Sequence, residues 1–161
     1  MYAADLTNAL LADEDPHPGA YAALSKLLSD LSQADKTASA LLCFQWALLV
    51  DVGYKPELEH DVETGEALPQ SKAYSFDPKL GGLTTRNGMN DEDWRVRANT
   101  VELLRAISAN ELINEYQIEA FLRANRLLCT YFRALIDKQL PTMDFILNDR
   151  LKALVKVSRE R

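Results

Sequence analysis

The stretch that most constrains the fold is residues 37–56, TASALLCFQWALLVDVGYKP. Its apolar side chains would point to every side of a helix, and only Thr37, Ser39 and Gln45 are uncharged polar residues. A helix that is apolar all round is buried in a protein core. The run is too short and too interrupted to cross a bilayer, which needs about 20 apolar residues. It therefore predicts the buried central helix of an all-helical core.

Residues on either side of this run predict where the central helix begins and ends. Asp35 is placed to be its N-cap, and Gly53 with Pro56 supplies the usual stop. Upstream, residues 2–12 and 20–31 carry apolar residues at helical spacing, which predicts two more helices. Their inward positions are predicted to be Leu6, Leu10, Leu11, Tyr21, Leu24, Leu27, Leu28 and Leu31.

Residues 57–90 have a different sequence pattern, with many turn-forming residue pairs and no helical periodicity. Residues 73–76 alternate in polarity and predict a short strand, with residues 82–85 as its partner. We therefore predict a small β-ribbon inserted between helices. Long irregular inserts are uncommon unless they are functional or are held by a metal.

Helical periodicity returns near Asn99, where Asn99 and Glu102 have the spacing of a capping box. A longer helix is predicted over residues 114–138, and steps of about 100° per residue give it two unlike faces. Its apolar face carries Ile118, Phe121, Leu122, Leu128, Cys129, Phe132 and Ile136. Its opposite face carries Arg123, Arg126, Thr130 and Arg133, with Leu127, Tyr131 and Lys138 beside this basic stripe. Pro141 ends the helix, and Thr142 is placed to cap a last helical segment.

The composition predicts one globular domain spanning residues 1–161, since 47% of the residues are apolar. The net charge is −6, with 16 acidic and 6 basic side chains in residues 1–94 but 8 acidic and 12 basic in residues 95–161. Affinity for nucleic acid depends on Lys and Arg against phosphate, so an acidic chain is a poor general DNA binder. Contact with single-stranded DNA should therefore be weak or indirect, and confined to the C-terminal third.

The first residues do not predict export. Residues 1–15 carry acidic side chains and no basic segment ahead of an apolar run, unlike a signal peptide. Cys43 and Cys129 both lie in apolar helical runs, and we predict that they are reduced core residues and not a disulfide pair. We therefore expect a cytoplasmic protein without membrane contact.

A series of motifs follows in register along most of the chain. They are a Tyr near the start of the first helix, F-x-W-A-L-L-x-D-V-G-Y-x-P-E-L (44–58), T-G-E-A-L (64–68), Y-S-F-D-P-K-L-G-G-L (74–83), T-V-E-L-L-R (100–105) and K-x-L-P-T-M-D-F (138–145). Together they resemble the C-terminal domain of RecO, the recombination mediator of the bacterial RecF-RecO-RecR pathway. The predicted fold is accordingly mainly α, a helical bundle around the buried central helix, with a β-ribbon insert over residues 57–90 that resembles a degenerate zinc ribbon.

The chain departs from this family in three respects. Many RecO proteins carry a four-cysteine zinc site at the ribbon, and Asp61, Thr64, Thr85 and Gly88 occupy those positions here. Zinc needs thiolate or imidazole ligands in tetrahedral geometry, so we expect no metal and no cofactor. The family's N-terminal OB-fold domain would precede the first helix, so we expect either a fragment of a longer protein or a freestanding helical relative. In the closing motif, Pro141 stands where the family has a lysine.

Other candidate sites have two interpretations each. An acidic cluster in the insert comprises Glu57, Glu59, His60, Asp61, Glu63 and Glu66. Its oxygens suit Ca²⁺ or Mg²⁺ and would permit a metal-dependent hydrolase, but no spacing makes them converge, so a solvated ribbon surface is the simpler interpretation. His17 and His60 have no Cys or Ser partner at recognisable spacing, so no catalytic role is predicted for them. Trp94, before Arg95 and Arg97, could stack on a base or cover the edge of the core.

The basic stripe is the predicted partner-binding site, with Arg123, Arg126, Arg133 and Lys138 around Leu127 and Tyr131. Guanidinium groups pair well with carboxylates, and an apolar pocket accepts an apolar terminal residue. RecO proteins bind the acidic, Phe-terminated tail of single-stranded-DNA-binding protein, so the resemblance implies this tail, and RecR, as partners. In some members arginines just before the Phe of the central helix contribute. Leu42 and Cys43 stand at those positions here, and the adjacent Phe44 is included in the predicted partner site. An ordinary solvated helix face is the alternative interpretation of the stripe.

The resemblance thus implies a non-enzymatic recombination mediator domain. Its expected role is in recombinational DNA repair at the cytoplasmic nucleoid, where it would hold partner proteins and help to load recombinase on single strands. The alternative is a freestanding helical adaptor, a protein-interaction module without a DNA function.

Overall fold

Helices form most of the fold, and a small sheet is inserted between the third helix and the fourth. The computed structural model describes residues 1–11, 16–33, 36–86, 94–148 and 150–159. Their elements are α1 (Tyr2–Leu10), α2 (Pro18–Asp30), α3 (Thr37–Asp51), β1 (Ala73–Asp77), β2 (Gly82–Thr84), β3 (Trp94–Arg97), α4 (Ala98–Ser108), α5 (Ile118–Leu135), a 3-10 turn (Pro141–Met143), α6 (Asp144–Leu147) and α7 (Arg150–Arg159). The predicted fold class, a mainly α bundle with a β-ribbon insert, is confirmed.

The third helix, α3, is the buried centre of the bundle, as its sequence predicts. Most of its side chains are buried, and it packs against both α2 and α5. Gly53 follows it with φ +79°, and the N–H of Tyr54 donates to the Leu49 carbonyl at 2.8 Å, which closes the last turn. The helix begins after Lys36. The predicted N-cap Asp35 lies outside the described residues.

A buried chain of hydrogen bonds explains the polar residue in the middle of α3. The Tyr2 hydroxyl donates to Gln45 Oε1 at 2.7 Å, and Gln45 Nε2 donates to Asn125 Oδ1 at 2.8 Å. Asn125 Nδ2 in turn donates to the carbonyls of Ala38 and Phe121, both at 2.9 Å. The chain joins α1, α3 and α5 and satisfies polar groups that water does not reach.

The predicted inward face of α2 is partly wrong. Leu27 is buried, but Tyr21 is 76% exposed, and Leu28 and Leu31 are exposed as well. The helix is rotated so that the small Ala20 faces the core beside Leu27, which allows α2 to approach α3 closely. Spacing alone defines a stripe on a helix but not which side of it the neighbouring helix covers.

The sheet contains the two predicted strands of the insert and a third strand, after the insert, that was not predicted. The predicted ribbon is confirmed, since β1 pairs antiparallel with β2, with Phe76 opposite Leu83. The strand β3 pairs with the other edge of β1, with Phe76 opposite Trp94, which gives the order β2-β1-β3. The Trp94 ring stacks on Phe76 at 5.7 Å between centroids and so covers the edge of the core.

Glycine is required at both positions of the Gly81-Gly82 pair in the ribbon, for steric or conformational reasons. A Cβ at Gly82 would lie 2.6 Å from the Glu57 carbonyl oxygen, because residue 57 bridges to this strand. Gly81 has φ +74°, in the left-handed region that favours glycine.

Several predicted helix ends differ in the structure. The fourth helix begins at Ala98 directly after β3, so Asn99 lies inside it and the predicted capping box is wrong. The fifth helix runs from Ile118 to Leu135, shorter than predicted. Thr142 donates to Asp5 Oδ2 at 2.7 Å and does not cap the segment after it.

Both cysteines are free thiols, with Cys129 buried and Cys43 partly buried, as the sequence predicts. In the part of the chain that the structure describes, no helix is long and apolar enough to cross a membrane.

Candidate anion-binding groove

A groove lies where β3 and the start of α4 run beside α5. Its cavity volume is about 270 Å³. The residues that line it are Trp94, Arg95, Val96, Arg97, Thr100, Arg123, Arg126, Leu127 and Thr130. Four of these nine residues are arginines and none of the nine is acidic, so the described lining of the groove is basic within an acidic protein.

Two arginines of the groove donate hydrogen bonds to neutral groups. Arg123 donates to Thr100 Oγ1 and to Asn99 Oδ1, both at 3.3 Å, and Arg126 donates to the Leu147 carbonyl at 2.8 Å. Within the described residues, Arg95, Arg97 and Arg123 form no salt bridge. Their charge is therefore left available to an anionic ligand.

Positive charges lie close together in the groove. Burial, and then the nearby charge of Arg97, lower the pKa of Arg123, while Glu119 acts in the opposite direction. The guanidinium stays protonated at neutral pH, because the ordinary pKa of arginine is above about 12. A bound carboxylate or phosphate would relieve this repulsion by pairing with both guanidinium groups.

The floor of the groove is apolar. Val96 is buried, while Leu127 and Trp94 are half-buried and border the cavity. An apolar side chain resting there would be surrounded by guanidinium groups. The volume is slightly below the range of about 300–1,000 Å³ that is typical of pockets for drug-sized ligands. It suits one or two side chains of a peptide.

The structure separates the residues that were predicted to form the partner site. Arg123, Arg126 and Leu127 line the groove together. Arg133 and Lys138 are exposed but do not line it, and Arg133 instead donates to Gln139 Oε1 at 3.3 Å.

Two of the predicted partner-site residues belong to the core. Tyr131 is 3% exposed, since Phe76 of the ribbon packs edge-on against its ring at 5.2 Å between centroids. Phe44 is 2% exposed within α3. The Tyr131 side chain therefore does not lie on the surface as predicted. Phe44 lines a second cavity, of about 290 Å³, between α2 and α3, and its role in partner binding stays a prediction.

Part of the groove was not predicted to belong to the partner site, since the sequence singled out Arg95 and Arg97 only as neighbours of Trp94. Arg95 and Arg97 come from β3, which was not predicted. The signal that could have found them is the alternation W-R-V-R, which is typical of an edge strand with one apolar and one basic side.

Three of the four positions at which the family resemblance implies cysteines, namely Asp61, Thr64 and Thr85, lie together at one end of the ribbon. Asp61 Oδ1 accepts from the N–H groups of Glu63 at 2.8 Å and Thr64 at 3.2 Å. Asp61 Oδ2 accepts from both the N–H and the hydroxyl of Thr85, each at 2.6 Å. Gly88 lies outside the described residues. Among the residues described, no group of three or more His, Cys, Asp or Glu side chains could hold a metal ion, so the side chains present do not fit zinc.

Acid is expected to weaken the fold through Asp61. The hydrogen bonds from Thr85 hold the pKa of the Asp61 carboxyl well below its usual range. A carboxylate whose pKa is lowered on folding stabilises the native state above its ordinary pKa of about 4, and this contribution is lost as the pH falls below that value. The Thr84 hydroxyl lies within hydrogen-bond distance of both Asp61 and Glu63, and Arg86 pairs with Glu63 and with Asp77, each at 2.8 Å.

Urea denaturation between pH 3 and pH 7 checks this expectation. The free energy of unfolding of the wild type should fall more steeply with acid than that of Asp61→Asn, so that the two curves converge at low pH. Curves that stay parallel over the whole range would contradict it.

The fold and the groove define a helical domain with a ribbon insert and one basic, partly apolar surface groove. The family model described as "Recombination protein O C terminal" matches residues 1–144, and the chain belongs to this family. No solved structure matches the chain.

Curated relatives carry the name DNA repair protein RecO. The protein from Nitrosospira multiformis is 33% identical over 88 residues, covering 55% of this chain and 36% of that protein. The protein from Dehalococcoides mccartyi is 30% identical over 123 residues, covering 74% of this chain and 47% of that protein. The protein from Nitrobacter hamburgensis is 33% identical over 88 residues, covering 55% of this chain and 33% of that protein. The chain thus spans between a third and a half of the length of these relatives.

Proposed function

We propose that this chain is a non-enzymatic recombination mediator domain that acts in recombinational DNA repair by binding partner proteins. Membership of the recombination protein O family supports the repair role. The partners proposed are the tail of single-stranded-DNA-binding protein and RecR, through which the domain would help to load recombinase on single strands. This work would place the protein at DNA in the cytoplasm.

The observation that carries the binding function is the groove between β3 and α5. Its arginines surround an apolar floor, which matches an acidic peptide that ends in an apolar residue. The acidic residues would pair with the guanidinium groups, and the terminal side chain would rest against Leu127 and Trp94. Direct contact with single strands is expected to be weak, since few phosphates can be neutralised at once by so small a basic surface.

An acidic peptide ending in Pro-Phe should bind this domain with a Kd of micromolar order, and more weakly as salt rises, because the charges are exposed. Arg126→Glu should weaken binding by about tenfold or more, and more than Arg126→Ala, since the reversal adds repulsion to a lost contact. Fluorescence anisotropy of the labelled peptide measures both.

Arg133→Glu is the matched control, because it makes the same charge change on the same helix outside the groove. It should leave the Kd within about twofold, the range of a screened distant charge. Equal weakening by Arg126→Glu and Arg133→Glu would reject the groove as the site. A peptide without its terminal Phe should no longer bind. If it binds as well as the complete peptide, the domain recognises only the negative charge, and the alternative of a general adaptor for acidic peptides is favoured.

A further inference from the structure

The end of the ribbon is held by one carboxylate that faces two segments of the chain. Asp61 is 2% exposed, and its two oxygens point in different directions. One oxygen accepts from the turn at residues 63–64, and the other accepts from residue 85 at the end of β2. The carboxylate therefore links two segments that lie more than 20 residues apart in the sequence.

Neighbouring bonds extend this link without a metal. The Val62 N–H donates to the Leu83 carbonyl at 2.9 Å, and Arg86 bridges Glu63 and Asp77, each at 2.8 Å. Since β2 pairs with β1 and β1 pairs with β3, the link lies in the same sheet as the strand that carries Arg95 and Arg97.

The chemistry of the link requires a carboxylate. Five hydrogen-bond donors, including the Thr84 hydroxyl at 3.4 Å, point to its two oxygens, and both oxygens of an ionised carboxylate are acceptors only. The side-chain amide of asparagine has the same shape but only one acceptor oxygen. Its NH₂ group is a donor and would face other donors, so the hydrogen bonds on that side would be lost.

We propose that the Asp61 carboxylate takes the structural place that a zinc ion holds in relatives with four cysteines, so that this ribbon folds without metal. A tetrahedral zinc ion joins two pairs of ligands from two turns. Asp61 joins two segments that carry such positions, residues 61–64 and residue 85, by hydrogen bonds from backbone and hydroxyl donors. The stability of the ribbon then depends on one side chain of the chain itself and not on metal supply.

Hydrogen exchange of the ribbon amides, measured with zinc content, tests the proposal. Asp61→Asn should accelerate exchange at the amides of residues 62–64 and 83–85 by about tenfold or more, since a hydrogen bond to a charged group is lost. Glu66→Gln is the matched control, as it makes the same carboxylate-to-amide change at an exposed position of the same turn and should leave exchange unchanged. A chelator should not change exchange in the wild type, and elemental analysis should find no stoichiometric zinc.

If Asp61→Asn unfolds the whole chain, Thr85 offers a milder test. Thr85→Val removes one donor to Asp61 and should accelerate exchange in the ribbon, whereas Thr85→Ser keeps the hydroxyl and should not. The proposal is overturned by about one zinc per chain with exchange that rises on chelation. It is equally overturned by ribbon exchange that is the same in the wild type, Asp61→Asn and Thr85→Val.

Discussion

Phe44→Ala is expected to lower the free energy of unfolding by about 3–5 kcal/mol, the usual cost of removing a buried aromatic ring. Phe44 lies in the central helix and is 2% exposed, so the substitution leaves a cavity that the tightly packed helices around it can fill only in part. Urea denaturation followed by circular dichroism measures the change as a shift in midpoint.

Tyr21→Ala is the control for Phe44→Ala, because it truncates an aromatic side chain that is 76% exposed. It should change the free energy of unfolding by no more than about 0.5 kcal/mol. If Phe44→Ala folds with a loss below about 1 kcal/mol, its side chain is not in the core as described.

Asn125→Ala is expected to have the next largest effect, a loss of about 3 kcal/mol. It removes the partner of the Gln45 amide and one partner each of the Ala38 and Phe121 carbonyls, and a buried polar group without its partner costs about 1–3 kcal/mol. The same denaturation experiment measures it.

A triple variant separates the hydrogen-bond chain from simple packing. Tyr2→Phe, Gln45→Met and Asn125→Leu together replace the three polar side chains by apolar ones, and replacing both partners of a hydrogen bond can be nearly neutral. The Ala38 and Phe121 carbonyls lose the Asn125 donor in the triple variant just as they do in Asn125→Ala. The triple variant should therefore be more stable than Asn125→Ala alone. If it is less stable than the single variant, the buried groups contribute through packing and not through their hydrogen bonds.

The sequence determined the features that depend on local periodicity. A helix with apolar side chains on every face is expected to be buried, and most side chains of α3 are buried. This prediction does not require knowing which elements pack against the helix. Alternating residues and the Gly81-Gly82 turn predict two strands, and β1 and β2 pair as expected. Arg123, Arg126 and Leu127 share one part of the α5 surface because helix geometry places residues three and four apart side by side.

The other half of the groove depended on the tertiary structure. Arg95 and Arg97 lie almost thirty residues before the α5 arginines in the sequence, and only the pairing of β3 with β1 brings them beside α5. A four-residue strand has too weak a local signal to be predicted, since its stability comes from its partners.

The tertiary structure also decided which side chains are covered. Helical phase placed Tyr131 beside the basic stripe, but the ribbon packs over that part of α5 and buries the ring under Phe76. From the sequence, Asp61 was interpreted as one carboxylate of a solvated acidic cluster. In the folded protein it is buried and accepts hydrogen bonds from Thr85. Local sequence sets the orientation of side chains along one element, whereas burial and hydrogen bonding depend on which distant element packs against it.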